Sequence, residues 1–385
     1  MNQLLCCLFD VIQDLLLQPL STITKLINIR QRENVYMTTM KAIGYTQSLP
    51  INEAESLKDI ELSIPVASGR DLLIKVKAVA VNPVDYKIRQ NVAPEKGEFK
   101  VIGWDAVGEV LAVGEAATQF KPGDQVYYAG DLNRQGCNAE YQLVDERIVG
   151  TKPKSLSDSE AAALPLTSIT AWELLFEHLA IQQQSPDSTQ KSDEVILVTG
   201  AAGGVGSILI QIAKAITGAT VIATASRESS QAWVKKLGAD YVVDHTKPLQ
   251  AQIDALIEKE GLHQVSHIAS LNSTDSYFES YTELLKPFGK IAMIDDPSKP
   301  LDIMKLKPKS QSLHIEFMFA RSMFQATDMD EQSHLLNRVS DLIDQGYIKT
   351  TVGQNLGTVN AENLRSAHQA LESGRSIGKI VLEGF

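Results

Sequence analysis

The sequence predicts an α/β protein of two domains, a mostly antiparallel β domain and a doubly wound domain with a parallel sheet. Three observations carry this reading. The chain of 385 residues exceeds the roughly 250–300 residues at which a single hydrophobic core stops growing. From Met40 to about residue 165, short runs alternate apolar and polar residues between Gly, Pro and Asn, as half-buried antiparallel strands do. From Val195 onward, continuous apolar runs alternate with helical stretches, the pattern of a parallel sheet covered on both faces.

Residues 1–39, opening MNQLLCCLFDVIQDLLLQPL, read as an apolar or amphipathic helix broken near Pro19, an N-terminal extension of unassigned role. They carry no basic n-region and no small-residue cleavage site, and Asp10 and Asp14 suit a mitochondrial presequence badly. The first domain, 40–165, takes its strands from KAIGYT, DLLIKVKAVAVN (71–82), AVGEVLAVG (106–114), GDQVYYAG and AEYQLV, with no long helix before about Ser157. The second, 166–325, includes a polar surface loop at 181–194 and then alternates strand and helix. VILVT (195–199) leads to VGSILIQIAKAI, TVIAT (220–224) to SSQAWVKKL, YVVD (241–244) to LQAQIDALIEKE, and VSHIASL (265–271) to TDSYFESYTELLK; GKIAMID and LHIEFMFA close the series. The last segment, 326–385, opens with a helix at about 330–345 and ends in short strands, GKIVLEGF, that return to the first domain.

A net charge of −11, from 36 basic and 47 acidic residues, argues against nucleic-acid partners, which need a cationic face. No run approaches the roughly 18 apolar residues of a membrane span. Cys6, Cys7 and Cys137 form neither a disulfide framework nor a tetrahedral zinc spacing, so a reducing cytoplasm is the expected compartment.

The strongest local signal is Val198-Thr199-Gly200-Ala201-Ala202-Gly203-Gly204-Val205-Gly206-Ser207, directly after a buried strand and opening a helix. Its spacing, G-x-x-G-G-x-G, departs from G-x-G-x-x-G, but the physics is the same. Glycines let a pyrophosphate approach the backbone, and the amides and positive dipole end of the helix face it. Gly200, Ala201, Gly203, Gly204, Val205 and Gly206 are the candidate cradle; a tight strand–helix turn without ligand is the alternative. The second strand ends in Ser226-Arg227, with no acid before Glu228. An acid there would bind ribose hydroxyls, whereas a hydroxyl and a guanidinium accept a 2′-phosphate, so NADP(H) is expected over NAD(H); Arg227 can also be a plain exposed charge.

AVNPVDYKIR (80–89), VIGWDAVGEV (101–110), FKPGDQVYYAG (120–130), AAALPLTSITAWELL (161–175) and VTGAAGGVGS (198–207) together resemble the medium-chain dehydrogenase/reductase superfamily, from about Met40 to Phe385. Within it they resemble the quinone oxidoreductase branch, related to zeta-crystallin, and proteins described as zinc-type alcohol dehydrogenase-like. The resemblance implies a GroES-like first domain, a Rossmann-type second domain and a homodimer or homotetramer, joined through an edge strand such as LHIEFMFA. It places Asn82 and Asp85 at the nicotinamide and substrate cleft, Thr170 at the nicotinamide, and Ser226, Arg227 and Ser230 at the adenosine phosphate. Asn82 and Asp85 can equally cap a turn before Pro83, and Thr170 a helix turn.

The same resemblance raises the question of zinc, which needs three protein ligands and an open position. At the matching positions stand Asn82, Trp104 and the hydroxyls of LPLTSIT, while Asp105 alone keeps its acidic place. No metal is therefore expected. Without a Lewis acid to lower a hydroxyl pKa, alcohol oxidation is hard and reduction of an electron-poor acceptor is easier. The expected activity is hydride transfer from NADPH to a quinone or α,β-unsaturated carbonyl, with Tyr86 and Lys87 as nearby proton-donor candidates and Lys87 alternatively a solvated charge. Trp104 is either a flat wall of the cleft or core filling between domains. A zinc alcohol dehydrogenase and a non-catalytic NADPH-binding sensor or structural protein are the competing readings.

Overall fold

The computed structural model describes residues 39–385, so the reading of the N-terminal extension lies outside the described residues. Residues 41–60 and 65–385 form one compact unit, which holds the site described below; of the other unit only residues 39–40 and 61–64 are described.

The first domain is a seven-stranded sheet centred on β3 (Asp71–Val81). β3 alternates buried and partly exposed residues at its start and is buried throughout from Ala78 to Val81, where other elements cover both faces. It pairs antiparallel with β5 (Ala106–Val113), β7 (Tyr141–Asp145) and the C-terminal β16 (Lys379–Glu383), with Ile380 opposite Val81. β6 (Gln125–Tyr128) and β8 (Val149–Thr151) extend the sheet beyond β5, and β15 (Val352–Asn355) lies parallel to β16. Three further strands, β1 (Thr39–Tyr45), β2 (Lys58–Ser63) and β4 (Lys100–Val101), precede β5 in the chain, with Gly44 opposite Val101.

The chain leaves β3 into a short nine-residue helix, α1 (Pro83–Asn91), set among the strands of the first domain. Its start signals stand in the sequence. Pro83 fixes φ where no amide partner is needed, and the Asp85 carboxylate accepts the Asn82 backbone N–H at 2.9 Å. α2 (Asp158–Ala162) and α3 (Pro165–Trp172) follow β8, and α3 continues into a wider π-type turn, Glu173–His178.

The second domain is a wholly parallel six-stranded sheet in the order β11-β10-β9-β12-β13-β14, formed by β9 (Val195–Thr199), β10 (Thr220–Thr224), β11 (Tyr241–Val243), β12 (His267–Ser270), β13 (Lys290–Met293) and β14 (Ser312–Ile315). This is the doubly wound Rossmann order, with the switch point between β9 and β12. Its crossover helices are α4 (Gly204–Ile216), α5 (Glu228–Lys236), α6 (Leu249–Glu260) and α7 (Thr274–Leu284). β9 is buried at all five positions, as a central parallel strand must be.

A short helix, α8 (Ala320–Met323), and α9 (Glu331–Asp344) lead out of this sheet. The return segment also holds a helix that the strand-only expectation omitted, α10 (Ala361–Glu372), capped by Asn360 accepting from the Asn363 N–H at 2.8 Å. Among the described residues no helix is long and apolar enough to cross a membrane.

Candidate active site

Gly200, Leu271, Ile294 and Glu316 are the first residues after β9, β12, β13 and β14, and all four line one cavity of about 390 Å3. It therefore lies at the carboxyl ends of the parallel strands, where a doubly wound sheet opens a crevice. The opposite wall comes from Asn82, Tyr86 and Lys87 at the start of α1, from Thr167 and Thr170 on α3, and from Lys379 on β16.

The glycine loop is shaped by steric need. Gly200 takes φ +65°, which side chains rarely adopt. A Cβ at Gly206 would stand 2.4 Å from the Ala201 carbonyl oxygen, so α4 packs onto its own loop only with glycine there. Gly203, Gly204, Val205 and Gly206 line the cavity, while Ala201 is buried behind them. The opening amides of α4 have no intrahelical acceptor and face the crevice with the positive end of the helix dipole. This cradle fits a pyrophosphate. Thr170 lines the cavity with its hydroxyl turned back to donate to the Leu166 carbonyl at 2.9 Å.

Ser226, Arg227 and Ser230 lie beyond the cavity, after β10, the strand beside the one that bears the glycine loop. Ser230 is engaged locally: its hydroxyl donates to the Arg227 carbonyl at 2.8 Å and accepts the Arg227 N–H at 3.2 Å, capping α5. Arg227 is exposed, with one guanidinium nitrogen on the Arg375 carbonyl at 2.9 Å.

The core of the first-domain wall is a buried polar triad. Lys379, which the sequence reading passed over, is 3% exposed. Its ammonium donates to the Val81 carbonyl at 3.1 Å, to Asp105 Oδ2 at 2.8 Å and to Asn82 Oδ1. Asn82 Nδ2 donates to the same Asp105 oxygen at 2.8 Å, and the Leu166 amide donates to Asp105 Oδ1 at 2.8 Å. Burial pushes the Asp105 carboxyl up, against the opposing pull of the Lys379 charge and the Leu166 amide. Asp85 is fully buried and does not line the cavity; burial pushes its pKa up to about 7, and its Oδ1 has no hydrogen-bond partner among the described residues.

These donors do not fit a zinc ion. Among the described residues no group of three or more His, Cys, Asp and Glu side chains is placed to hold a metal ion. Both Asp105 oxygens are committed, and the place a cation would take beside the carboxylate belongs to the Lys379 ammonium. Cys137 is buried, its thiol pushed up by burial and donating to the Asp105 carbonyl at 3.4 Å.

Trp104 does not line the cavity. It is 1% exposed, its indole N–H donates to the Asp131 carbonyl at 3.1 Å, and it meets Phe319 edge to face at 6.3 Å. Phe319 lines the cavity, so Trp104 fills the core behind that wall. Tyr86 is half-buried on the cavity, and Lys87 spans it, with Nζ 2.7 Å from Asp296 in the segment after β13.

A family model described as zinc-binding dehydrogenase matches residues 204–333, and one described as alcohol dehydrogenase GroES-like domain matches 68–154. A zinc-type alcohol dehydrogenase-like protein of Staphylococcus aureus is 41% identical over 343 residues, covering 89% of this chain and 99% of its own. A 2-methylene-furan-3-one reductase of Solanum lycopersicum is 30% identical over 365 residues, covering 89% of this chain and 79% of its own. A solved protein of Rhizobium etli CFN 42, assigned by name to the zinc-dependent alcohol dehydrogenases, superposes with TM-score 0.85 at 51% identity, covering 91% of this chain and 99% of that one.

Proposed function

This chain belongs to the medium-chain dehydrogenase/reductase superfamily of oxidoreductases, and on that premise we propose that it is a zinc-independent, NADPH-dependent reductase of quinones or α,β-unsaturated carbonyls. The observation that carries the reading is the triad of Asn82, Asp105 and Lys379, an ion-paired ammonium where a metal-dependent relative would need three metal ligands. When bound, the dinucleotide supplies the hydride. The protein's share is to hold the pyrophosphate at Gly203–Gly206, to seat the nicotinamide between Thr170 and Asn82, and to keep water from the reacting face.

Alcohol oxidation needs a group that lowers the hydroxyl pKa, and the triad has no uncommitted acceptor for that proton. A flat, polarised acceptor needs only orientation and a hydrogen bond to its oxygen, for which Tyr86 supplies a hydroxyl on the α1 wall. Ser226 and Arg227 favour the 2′-phosphate of NADPH. The same reading carries self-association through the edge strand β14, beside which Ile315 and Phe317 are exposed.

NADPH oxidation over a panel of quinones, enones and aldehydes tests the proposal. Turnover is expected with quinones or enones. No turnover with any acceptor, alongside tight NADPH binding, would leave the binding-protein reading standing. One zinc per purified chain would favour an alcohol dehydrogenase.

A further inference from the structure

Where α3 runs on into the Glu173–His178 turn, the carboxyl group of Glu173 meets that of Glu316, which lines the cavity. Glu173 and Glu316 are 5% and 4% exposed and lie within hydrogen-bonding reach of each other. Glu173 Oε1 accepts from Arg321 at 2.5 Å, and Arg321 also holds Glu177 and Asp328. Glu316 Oε2 is 2.9 Å from His178 Nε2, whereas Glu316 Oε1 is buried with no partner among the described residues.

Two ionised carboxylates offer each other no donor. A proton between them gives the orphaned Glu316 oxygen its partner and removes a like-charge contact from a dry site. Burial foremost pushes both acids above the ordinary carboxylate range, and for Glu173 the neighbouring Glu316 charge adds to it. The pair therefore titrates as a unit. The other charged and titratable groups around it are His314, whose ring lies 5.9 Å from that of His178, and Lys290, which donates to the Leu179 carbonyl at 3.0 Å.

We propose that Glu173 and Glu316 share one proton and serve as the proton store of the cleft, with Glu316 on the cavity side and His178 as the exchange port to solvent. The proposal rests on the reductase reading, because hydride addition leaves the acceptor one proton short. The acceptor's new oxyanion or carbanion takes H+ from the pair, directly or through one cleft water. Glu173 and Glu316 are then both ionised against Arg321. His178, with its side chain 27% exposed, passes a solvent proton back through Glu316 Oε2. One hydride and one proton are consumed per acceptor, and the relay returns to its starting state.

The store is tested first without turnover. Infrared difference spectra of the full-length protein in H2O and D2O at neutral pH should show the carbonyl stretch of a buried protonated carboxyl group, lost in both Glu316→Gln and Glu173→Gln. Its absence from the wild type overturns the shared proton. With an acceptor from the panel, Glu316→Gln should lower kcat by about 100-fold, the low end of general-acid effects, while NADPH binding followed by fluorescence stays unchanged. His178→Ala should slow turnover and regain it as imidazole buffer is raised. Loss of the infrared band with wild-type kcat in Glu316→Gln overturns the relay, as does His178→Ala turnover that ignores imidazole. A protein that supports no NADPH oxidation with any acceptor of the panel but keeps the band refutes the reductase reading and leaves the shared proton intact.

Discussion

Lys379 and Asp105 stand 274 residues apart in the chain and 2.8 Å apart in the fold, with side chains 3% and 0% exposed. The pair joins the C-terminal strand to the wall beside Asn82. Removing one partner of a buried pair strands the other charge, at a cost of about 3–5 kcal/mol. Lys379→Met is expected to lower stability by that amount in urea or guanidinium unfolding. Adding Asp105→Leu should recover a large part of it, because the double variant leaves no lone charge; a double variant as unstable as the sum of the singles would contradict this.

Asn82 links that pair to the cavity through both ends of its amide. Asn82→Ala should raise KM for the acceptor or lower kcat while the Kd for NADPH stays unchanged. Wild-type kinetics in this variant would remove Asn82 from the site.

Arg227 follows β10 with a guanidinium exposed to solvent. Losing one charge-assisted contact to a 2′-phosphate is worth about 1.4 kcal/mol, or roughly tenfold. Arg227→Ala should weaken NADPH binding by about that factor and leave NADH binding as it was. Equal affinity of the wild type for both dinucleotides would refute the NADPH preference.

Gly206 has backbone atoms 2.4 Å from where a Cβ would stand. Gly206→Ala should push α4 off its loop, abolishing dinucleotide binding in calorimetric titration and lowering Tm. Gly261→Ala, in open space but at φ +67°, should lower Tm through backbone strain alone and leave dinucleotide binding intact.

His368 is buried beside Arg89, and neither ring nitrogen has a partner among the described residues. Burial foremost, with help from the Arg89 charge, pushes its pKa from 6.5 down to about 3. A folded-state pKa depressed in this way means that the unfolded chain takes up the proton first. The stability tied to His368 is therefore present above pH 6.5 and is lost as pH falls toward 3. Between pH 7 and pH 5 the wild type should lose more Tm than His368→Leu.

The sequence was most legible where structure is local and periodic. β9 and β10 run over the residues their apolar runs mark, and α6 spans LQAQIDALIEKE, because continuous burial and helical spacing are written in neighbouring residues. The glycine loop was legible for the same reason, since its strand and helix flank it directly. α1 and α10 were missed although Asn82-Pro83 with Asp85 and Asn360 are start signals, because both helices are short and sit among strand-like runs. Lys379 was not legible. A lysine opening an apolar strand looks like an ordinary edge residue until the fold brings Asp105 and Asn82 to it. Trp104 was open to two readings because its burial depends on Phe319, far along the chain, packing against it. The Glu173–Glu316 pair has the same origin, two acids 143 positions apart that look solvated in isolation.

The Gly378 amide donates to the Ala202 carbonyl at 2.9 Å, and Gly378 bridges Gly203 as a single strand pair, one residue before Lys379. The glycine loop and the C-terminal strand are thus stitched together on the deep side of the crevice. At the other side the domains touch through Lys87 and Asp296, exposed by 42% and 84%, a class of contact worth no more than about 1 kcal/mol. One side is a hinge pin and the other a weak catch. If the crevice breathes, these contacts make the α1 edge the freer side and the glycine loop the fixed one, so under the proposed function an acceptor would exchange over a cofactor that stays seated. The Gly378 amide should then exchange with solvent only on global unfolding, and Lys87→Ala should speed acceptor exchange without loosening the dinucleotide.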